Sequence, residues 1–160
     1  MARKGSKTQR TSGQILLRAA FFIYCVMMLW LLFGQRLGNQ DYGSYAQQLA
    51  DNLNLEPLKT IKLYLRLLRR SESAYLVRHA FINLVGNVVM FVPLGYLMCG
   101  VFPKQRKFFV FLLCVTAMIL VVEAVQYVTL LGSCDIDDLI LNLAGAIIGW
   151  CARKWIRIKK

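Results

Sequence analysis

Carboxyl and amide side chains occur inside the most apolar stretches of this chain. Glu123 follows an apolar run from Phe108 to Val121, and Gln126 lies three residues later on the same face of a helix. An acidic residue near the middle of a membrane costs roughly 2.5–3.5 kcal/mol, and less in the outer third, so such residues usually face a cavity or a partner. Glu123 could exchange protons, act as an acid or base, or bind Mg²⁺ or Ca²⁺ through its oxygens.

Two further apolar segments also carry amide or carboxyl residues on one helical face. Asn83 and Asn87 are four residues apart and share one helical face. A second stripe falls within an arc of about 80° on the last predicted helix, and its members are Asp135, Asp138, Asn142, Gly145 and Gly149. Asp137 lies off this stripe, and we expect it to face water. Carboxyl and amide groups from three helices could therefore meet.

Each of these residues also has a structural explanation. Asp135 and Asp138 lie where a helix begins, where carboxylates cap free amides and favour the helix dipole. The three asparagines could form interhelical hydrogen bonds worth about 0.6 kcal/mol each. Gly145 and Gly149 form a small-xxx-small pattern that is typical of helix packing. Glu123 has the strongest case for a functional role.

The elements that would position these residues are membrane-spanning helices. Apolar residues make up 58% of the 160 residues, against about 45–50% in a soluble domain. Four blocks approach or exceed the ~17–25 residues that a spanning helix needs, namely Ile15–Phe33, Phe81–Phe102, Phe108–Leu131 and Ile136–Trp155. This pattern predicts an all-α membrane protein with about four transmembrane helices. The predicted segments are a basic N-terminus (1–14), a first transmembrane helix (15–33), a loop (34–80), a three-helix core (81–156) and a basic C-terminus (157–160).

The distribution of basic residues predicts the orientation. With four spans, thirteen of the twenty lysines and arginines lie on the same side as both termini, and the connection from Gly132 to Asp135 has none. The positive-inside rule then makes both termini cytoplasmic and loop 34–80 extracytoplasmic, in a multi-pass membrane protein. Glu123 would lie about 22 Å along its helix, and Asn87 and Asn142 about 9–10 Å from the opposite ends of theirs. All three would reach the outer third of the bilayer.

The extracytoplasmic loop contains a predicted amphipathic helix, residues 57–70. Its basic side chains fall within an arc of about 100°, and they are Lys59, Lys62, Arg66, Arg69 and Arg70. A helix of this kind commonly lies at a membrane surface, so we predict contact with the bilayer through anionic lipid or with an envelope polymer. A helix packed over the bundle with a solvated charged face is an alternative, and both can be true.

Several classes of function lack support in the sequence. The formal net charge of +12 comes without a basic patch interleaved with stacking aromatics, so no nucleic-acid partner is predicted. The five cysteines show no zinc-site spacing and leave only Cys134 outside, and no metal or cofactor is predicted. His79, the single histidine, adjoins Arg78 at a membrane edge. No established catalytic motif occurs, so the sequence leaves open whether any reaction is catalysed.

Four separate motifs resemble the VanZ-like family of bacterial membrane proteins. They are "NLEPLKTI" (54–61), "NLVGNVVMFVPLG" (83–95), "EAVQ" (123–126) and "DIDDLILNLAGAIIG" (135–149). Their order and spacing extend the resemblance over about residues 52–150. Leu58 replaces the phenylalanine of the family pattern, and Gly132 and Ser133 occupy a turn where many members carry an arginine. A cationic partner for the acidic residues is therefore either missing or supplied by Arg78.

The resemblance implies a multi-pass protein of the bacterial plasma membrane with a function at the cell surface. The family is named after a teicoplanin-resistance protein, so it implies a protein that modulates glycopeptide susceptibility at the outer leaflet. A polar pocket would be lined by Asn83, Asn87, Glu123, Gln126, Asp135, Asp138 and Asn142. Two alternatives remain. One is an intramembrane enzyme acting on a lipid-linked envelope substrate, with Glu123 and Asp138 as acid and base or as ligands of a divalent ion, and the other is a small transporter. The partner would be a lipoglycopeptide or a lipid-linked precursor, and the oligomeric state stays open.

Overall fold

The computed structural model describes the backbone of residues 3–34 and 44–158 and the side chains of residues 12–34 and 44–156. Residues 35–43 of the predicted loop, the side chains of 1–11 and those of 157–160 lie outside the described part. The predicted basic C-terminus and most of the predicted basic N-terminus therefore have no described side chains.

The regular secondary structure of the described residues is helical apart from two very short strands. The elements, in chain order, are α1 (Arg3–Leu29) with a π-helical turn (Trp30–Gly34), α2 (Tyr45–Asp51), β1 (Leu53–Asn54), α3 (Lys59–Arg70), α4 (Ala74–Val101), a 3₁₀ turn (Pro103–Arg106), α5 (Phe108–Val128), β2 (Cys134–Asp135) and α6 (Ile136–Ile158).

Four helices are long and apolar enough to cross a membrane, which confirms the predicted fold class. The candidate spans are Ser12–Gly34, Ala74–Val101, Phe108–Val128 and Ile136–Ile156. Several boundaries differ from the prediction, and two of these differences lie in the part of the chain around α3. The amphipathic helix α3 begins at Lys59 rather than at Pro57, and α4 begins at Ala74, seven residues before Phe81. With 28 residues, α4 is about 42 Å long, so it exceeds the ~30 Å hydrocarbon layer.

The closest helix pair is α4 with α6, and glycines make the approach possible. A Cβ atom built at Gly95, Gly145 or Gly149 would lie 1.9–2.0 Å from a carbonyl oxygen of the facing helix, at Ala146, Val88 and Val92 respectively. Any side chain at these positions would force the helices apart. The prediction that Gly145 and Gly149 form a packing contact is confirmed, and Gly95 contributes from the other helix.

The remaining spans pack around this pair. α5 buries one stripe at four-residue spacing, which runs through Phe111, Val115 and Ile119 to Glu123. α1 packs against α4, where the hydroxyl of Tyr24 donates to the carbonyl oxygen of Met90 at 2.5 Å. The two ends of the bundle carry different elements. We call the end with α2, α3 and the strands the loop end, and the end with the 3₁₀ turn and the end of α6 the terminal end.

Candidate functional site

Asp137 is the most deeply buried ionisable side chain at the loop end, with 0% of its surface exposed. The expectation that it faces water is wrong. Its carboxylate accepts hydrogen bonds from the backbone N–H groups of Leu58 (2.6 Å) and Ile61 (3.0 Å). Asp137 was predicted to lie off the polar stripe of α6, but the segment that contains Leu58 and Ile61, almost eighty residues earlier in the chain, covers its face of the helix.

The hydrogen bonds of Asp137 complete the beginning of α3. Leu58 precedes the helix in a left-handed conformation, with φ at 65°, and provides no side-chain cap. The first turn of a helix leaves backbone N–H groups without partners and carries a partial positive charge. Asp137 supplies both the missing acceptor and a negative charge from α6. It therefore fixes where α3 starts and how α3 is attached to the bundle.

Asp135 binds the same loop through side chains. One carboxylate oxygen, Oδ1, accepts from Asn54 Nδ2 at 3.1 Å and from the N–H of Asp137 at 2.9 Å. The other oxygen, Oδ2, accepts from the Thr60 hydroxyl at 2.6 Å. The bond from Asp137 caps α6, as the structural explanation predicted, and the two side-chain bonds add a second role. Asp135 therefore links the start of α6 to the loop before α3.

A short parallel strand pair sets the alignment of these groups. Leu53 pairs with Cys134 and Asn54 with Asp135, and the N–H of Cys134 donates to the carbonyl oxygen of Asn52 at 2.8 Å. We name the resulting network the aspartate clasp, and its members are Asp135, Asp137, Asn54, Thr60 and the N–H groups of Leu58 and Ile61. The roles of Asn54, Thr60 and Asp137 in this network were not predicted from the sequence. The sequence feature that could have indicated this network is the Asp-Ile-Asp sequence (135–137) at the start of a helix.

Glu123 lies close to the clasp and is 5% exposed. The charge of Glu123 acts on the thiol of Cys134 in strand β2. Burial raises the pKa of this thiol, and the nearby negative charges of Glu123 and Asp135 raise it further, because each disfavours the thiolate. The charge of Glu123, on α5, therefore acts on strand β2, which itself contains Asp135.

One predicted interhelical contact joins α4 to α6. The amide of Asn87 donates to Asp138 Oδ1 at 2.6 Å, which links the faces that the sequence predicted to meet. Asn142, one turn further along α6, is 4% exposed. Its Oδ1 has no hydrogen-bond partner among the described residues. A buried polar atom of this kind marks a position where a water molecule or a ligand group could donate.

The other two amides of the predicted pocket form their hydrogen bonds elsewhere. Asn83 donates to the carbonyl oxygen of His79, within its own helix, at 2.9 Å. Gln126 donates to the carbonyl oxygen of Leu32, in the π-helical turn that follows α1, at 3.0 Å. Gln126 therefore attaches α1 to α5. The amides of Asn83 and Gln126 thus donate to backbone carbonyl oxygens outside the predicted pocket.

The basic helix α3 packs over the bundle with its charged side chains outward. Partly buried side chains on its other face point toward the bundle, and they are Thr60, Ile61, Tyr64, Leu67 and Leu68. Tyr64 contacts His79 of α4, with ring centroids 5.9 Å apart. Arg78 is exposed and forms no salt bridge within the described part of the chain, so it does not supply a cationic partner for the aspartates.

The described residues contain no group of three or more histidine, cysteine, aspartate or glutamate side chains that could hold a metal ion. All five cysteines are free thiols. The carboxylates of the clasp accept hydrogen bonds from neutral backbone and side-chain groups. The site therefore consists of a buried hydrogen-bond network beside Glu123, with a basic helix attached to it.

The fold and the site define a four-span helical membrane protein with a loop fastened to one end of its bundle. The chain belongs to the VanZ/LLP1 family, whose model matches residues 21–157. It is 28% identical over 138 residues to "Protein VanZ" of Enterococcus faecium, an alignment that covers 86% of this chain and 73% of the relative. No solved structure matches.

Proposed function

We propose that this protein modulates the susceptibility of a bacterial cell to teicoplanin-type glycopeptides at the outer leaflet of the plasma membrane. Membership of the VanZ/LLP1 family and the similarity to Protein VanZ support this function. The observation that carries it is the buried carboxyl of Glu123 beside the aspartate clasp, because buried carboxyls in a membrane usually serve a cavity or a partner. The partner would be a lipoglycopeptide or a lipid-linked precursor.

The proposal is tested by expressing the chain in a glycopeptide-susceptible bacterium and measuring minimal inhibitory concentrations of teicoplanin and vancomycin. We expect the wild-type protein to raise the teicoplanin value more than the vancomycin value. Glu123→Gln should remove this rise at wild-type protein levels, because glutamine keeps the shape and hydrogen bonding but cannot ionise or exchange a proton.

The matched control is Glu72→Gln, which removes one carboxyl from an exposed position between α3 and α4. This variant should keep the full effect. An unchanged teicoplanin value with the wild-type protein would contradict the proposed function. A full effect in Glu123→Gln would restrict Glu123 to a structural role and leave the proposed function without its site.

The proposal places both termini in the cytoplasm and the loop end outside. A cysteine at position 72, in a chain lacking Cys134, should react with an impermeant thiol reagent in intact cells. The positive-inside distribution of basic residues is the physical reason. Labelling that requires cell lysis would reverse the orientation and move the aspartate clasp to the inner leaflet.

A second candidate function is an intramembrane enzyme that acts on a lipid-linked envelope substrate. The burial of the Glu123 carboxyl, which is 5% exposed, favours it, because a buried carboxyl can serve as a general acid or base. Purified protein in vesicles should then convert the lipid-linked substrate, and Glu123→Gln should not. Susceptibility that changes without any turnover would favour the first function.

A further inference from the structure

The outward face of α3 contains a concentrated positive surface. Lys62, Arg66, Arg69 and Arg70 line, together with Leu65, a depression of about 520 Å³. The fifth basic residue, Lys59, lies outside this depression and has its Nζ 3.7 Å from a carboxylate oxygen of Glu56. We call the four residues of the depression the cationic face. It differs from a scattered basic surface because the four charges border one concavity.

The four cations are spaced so that their mutual repulsion destabilises helix α3. Arg66 is four residues from Lys62 and from Arg70 and three from Arg69, and like charges at these spacings repel each other along a helix. None of the four forms a salt bridge with another described residue. The repulsion is therefore present in the folded protein, and a bound anion would relieve it.

Contacts on the opposite side keep α3 folded despite this repulsion. Its partly buried face packs toward α4, and Asp137 of the clasp caps its first turn. The clasp lies at the helix N-terminus and the cationic face extends along the following turns. The protein thus holds four cations outward on a helix that is attached to the bundle at a fixed rotation.

We propose that the cationic face binds the phosphodiester headgroup of an anionic membrane lipid. Three of the four cations are arginines, whose planar guanidinium groups bind phosphate oxygens in pairs. Leu63 and Leu65 are 48% and 42% exposed and flank the charged arc on either side. Apolar side chains beside a basic face suit the boundary between headgroups and acyl chains, and a soluble phosphate would leave them in water.

The test uses the full-length protein in phosphatidylcholine vesicles, with native cysteines replaced and a fluorophore on a cysteine at position 72. Quenching is compared between phosphatidylglycerol and phosphatidylcholine that carry the same spin label high on one acyl chain. We expect the anionic lipid to be preferred at least roughly tenfold near α3, because the attractions of several basic residues near a membrane surface add together. The preference should fall as the salt concentration rises.

The variant Lys62→Gln/Arg66→Gln/Arg69→Gln/Arg70→Gln should lose this preference and keep its helical content, because it removes repulsion within α3. The matched control neutralises three exposed cations at the terminal end, Lys104, Arg106 and Lys107. It should keep the preference at position 72, because the quenching is local. Neither measurement requires an antibiotic, so a failure here is distinct from a failure of the proposed function.

Three outcomes would overturn the proposal. The wild-type protein could show no preference for phosphatidylglycerol, or the quadruple variant could keep that preference. Alternatively, inorganic phosphate or a soluble glycerol-phosphate polymer at low millimolar concentration could remove the preference, which would identify a free phosphate group rather than a lipid headgroup as the ligand.

Discussion

The two ends of the helical bundle hold their polar groups by different physical means. At the terminal end, the guanidinium of Arg153 lies 4.8 Å from the ring centroid of Tyr96, and Lys154 Nζ lies 4.5 Å from that of Trp150. Both cations lie over aromatic faces. At the loop end, by contrast, the carboxylates of Asp135 and Asp137 accept hydrogen bonds from neutral groups of a distant loop.

The difference follows from the length of the side chains. Lysine and arginine have long apolar stems, so they can cover apolar surface and still place their charge in water. An aspartate has one methylene group and cannot reach out of a buried position. The chain instead brings hydrogen-bond donors to the carboxylates. The loop end should therefore be more sensitive to substitution than the terminal end.

The largest expected effect is that of Asp137→Ala. The substitution leaves the N–H groups of Leu58 and Ile61 without their acceptor and removes the cap of α3. We expect a loss of about 3 kcal/mol in the free energy of unfolding. The measurement is unfolding of the purified protein in mixed micelles, together with proteolysis at the basic residues of α3, which should become faster.

Asp137→Asn is the graded control, because it keeps the shape and one acceptor oxygen. It should lose less stability than the alanine variant. If both variants unfold like the wild type, the clasp does not fasten α3 and the proposed contrast between the two ends fails.

A smaller effect is expected for Trp150→Phe at the terminal end. Trp150 Nε1 donates to the carbonyl oxygen of Gln105 at 2.9 Å, and its ring contacts Phe108 and Phe111. Phenylalanine loses the hydrogen bond and keeps much of the ring packing, so the cost should be about 1 kcal/mol. The same unfolding measurement applies, and a loss as large as that of Asp137→Ala would contradict the greater sensitivity of the loop end.

The smallest expected effect concerns the reactivity of Cys134. Burial and the charges of Glu123 and Asp135 raise the pKa of its thiol, so less of the reactive thiolate is present at a given pH than for an exposed cysteine. Removing a negative charge by Glu123→Gln should lower this pKa. Alkylation by iodoacetamide at pH 8 should then become a few-fold faster, in chains that keep Cys134 as their single cysteine.

The pH dependence of that alkylation gives the pKa directly and separates charge from access. A shift of the whole profile toward lower pH is the expected result. A faster reaction with an unchanged midpoint would mean that the substitution only made Cys134 more accessible to iodoacetamide. An unchanged rate and midpoint would place the Glu123 charge too far away to act on the loop end.

Much of the fold could be predicted from the sequence because its signals are local. Apolar length predicted the four spans, and the spacing of basic residues predicted α3 and its charged face. The pairing of Asn87 with Asp138 agrees with the predicted meeting of two helical faces. Predicted boundaries at Pro57 and Phe81 were less accurate, because α3 begins only after Leu58, which has a left-handed conformation, and because α4 extends beyond its apolar block.

Only the tertiary structure decided the arrangement of the loop end. Strands of two residues have no alternation that a sequence could display, and the partners of Asp137 lie 79 and 76 residues away at Leu58 and Ile61. A helical wheel assigns Asp137 to a face, and it cannot say whether water or another segment covers that face. The sequence by itself determined which residues are apolar, basic or acidic on each helix. The fold determined which acids are buried, because burial of a short carboxylate depends on donors that arrive from elsewhere in the chain.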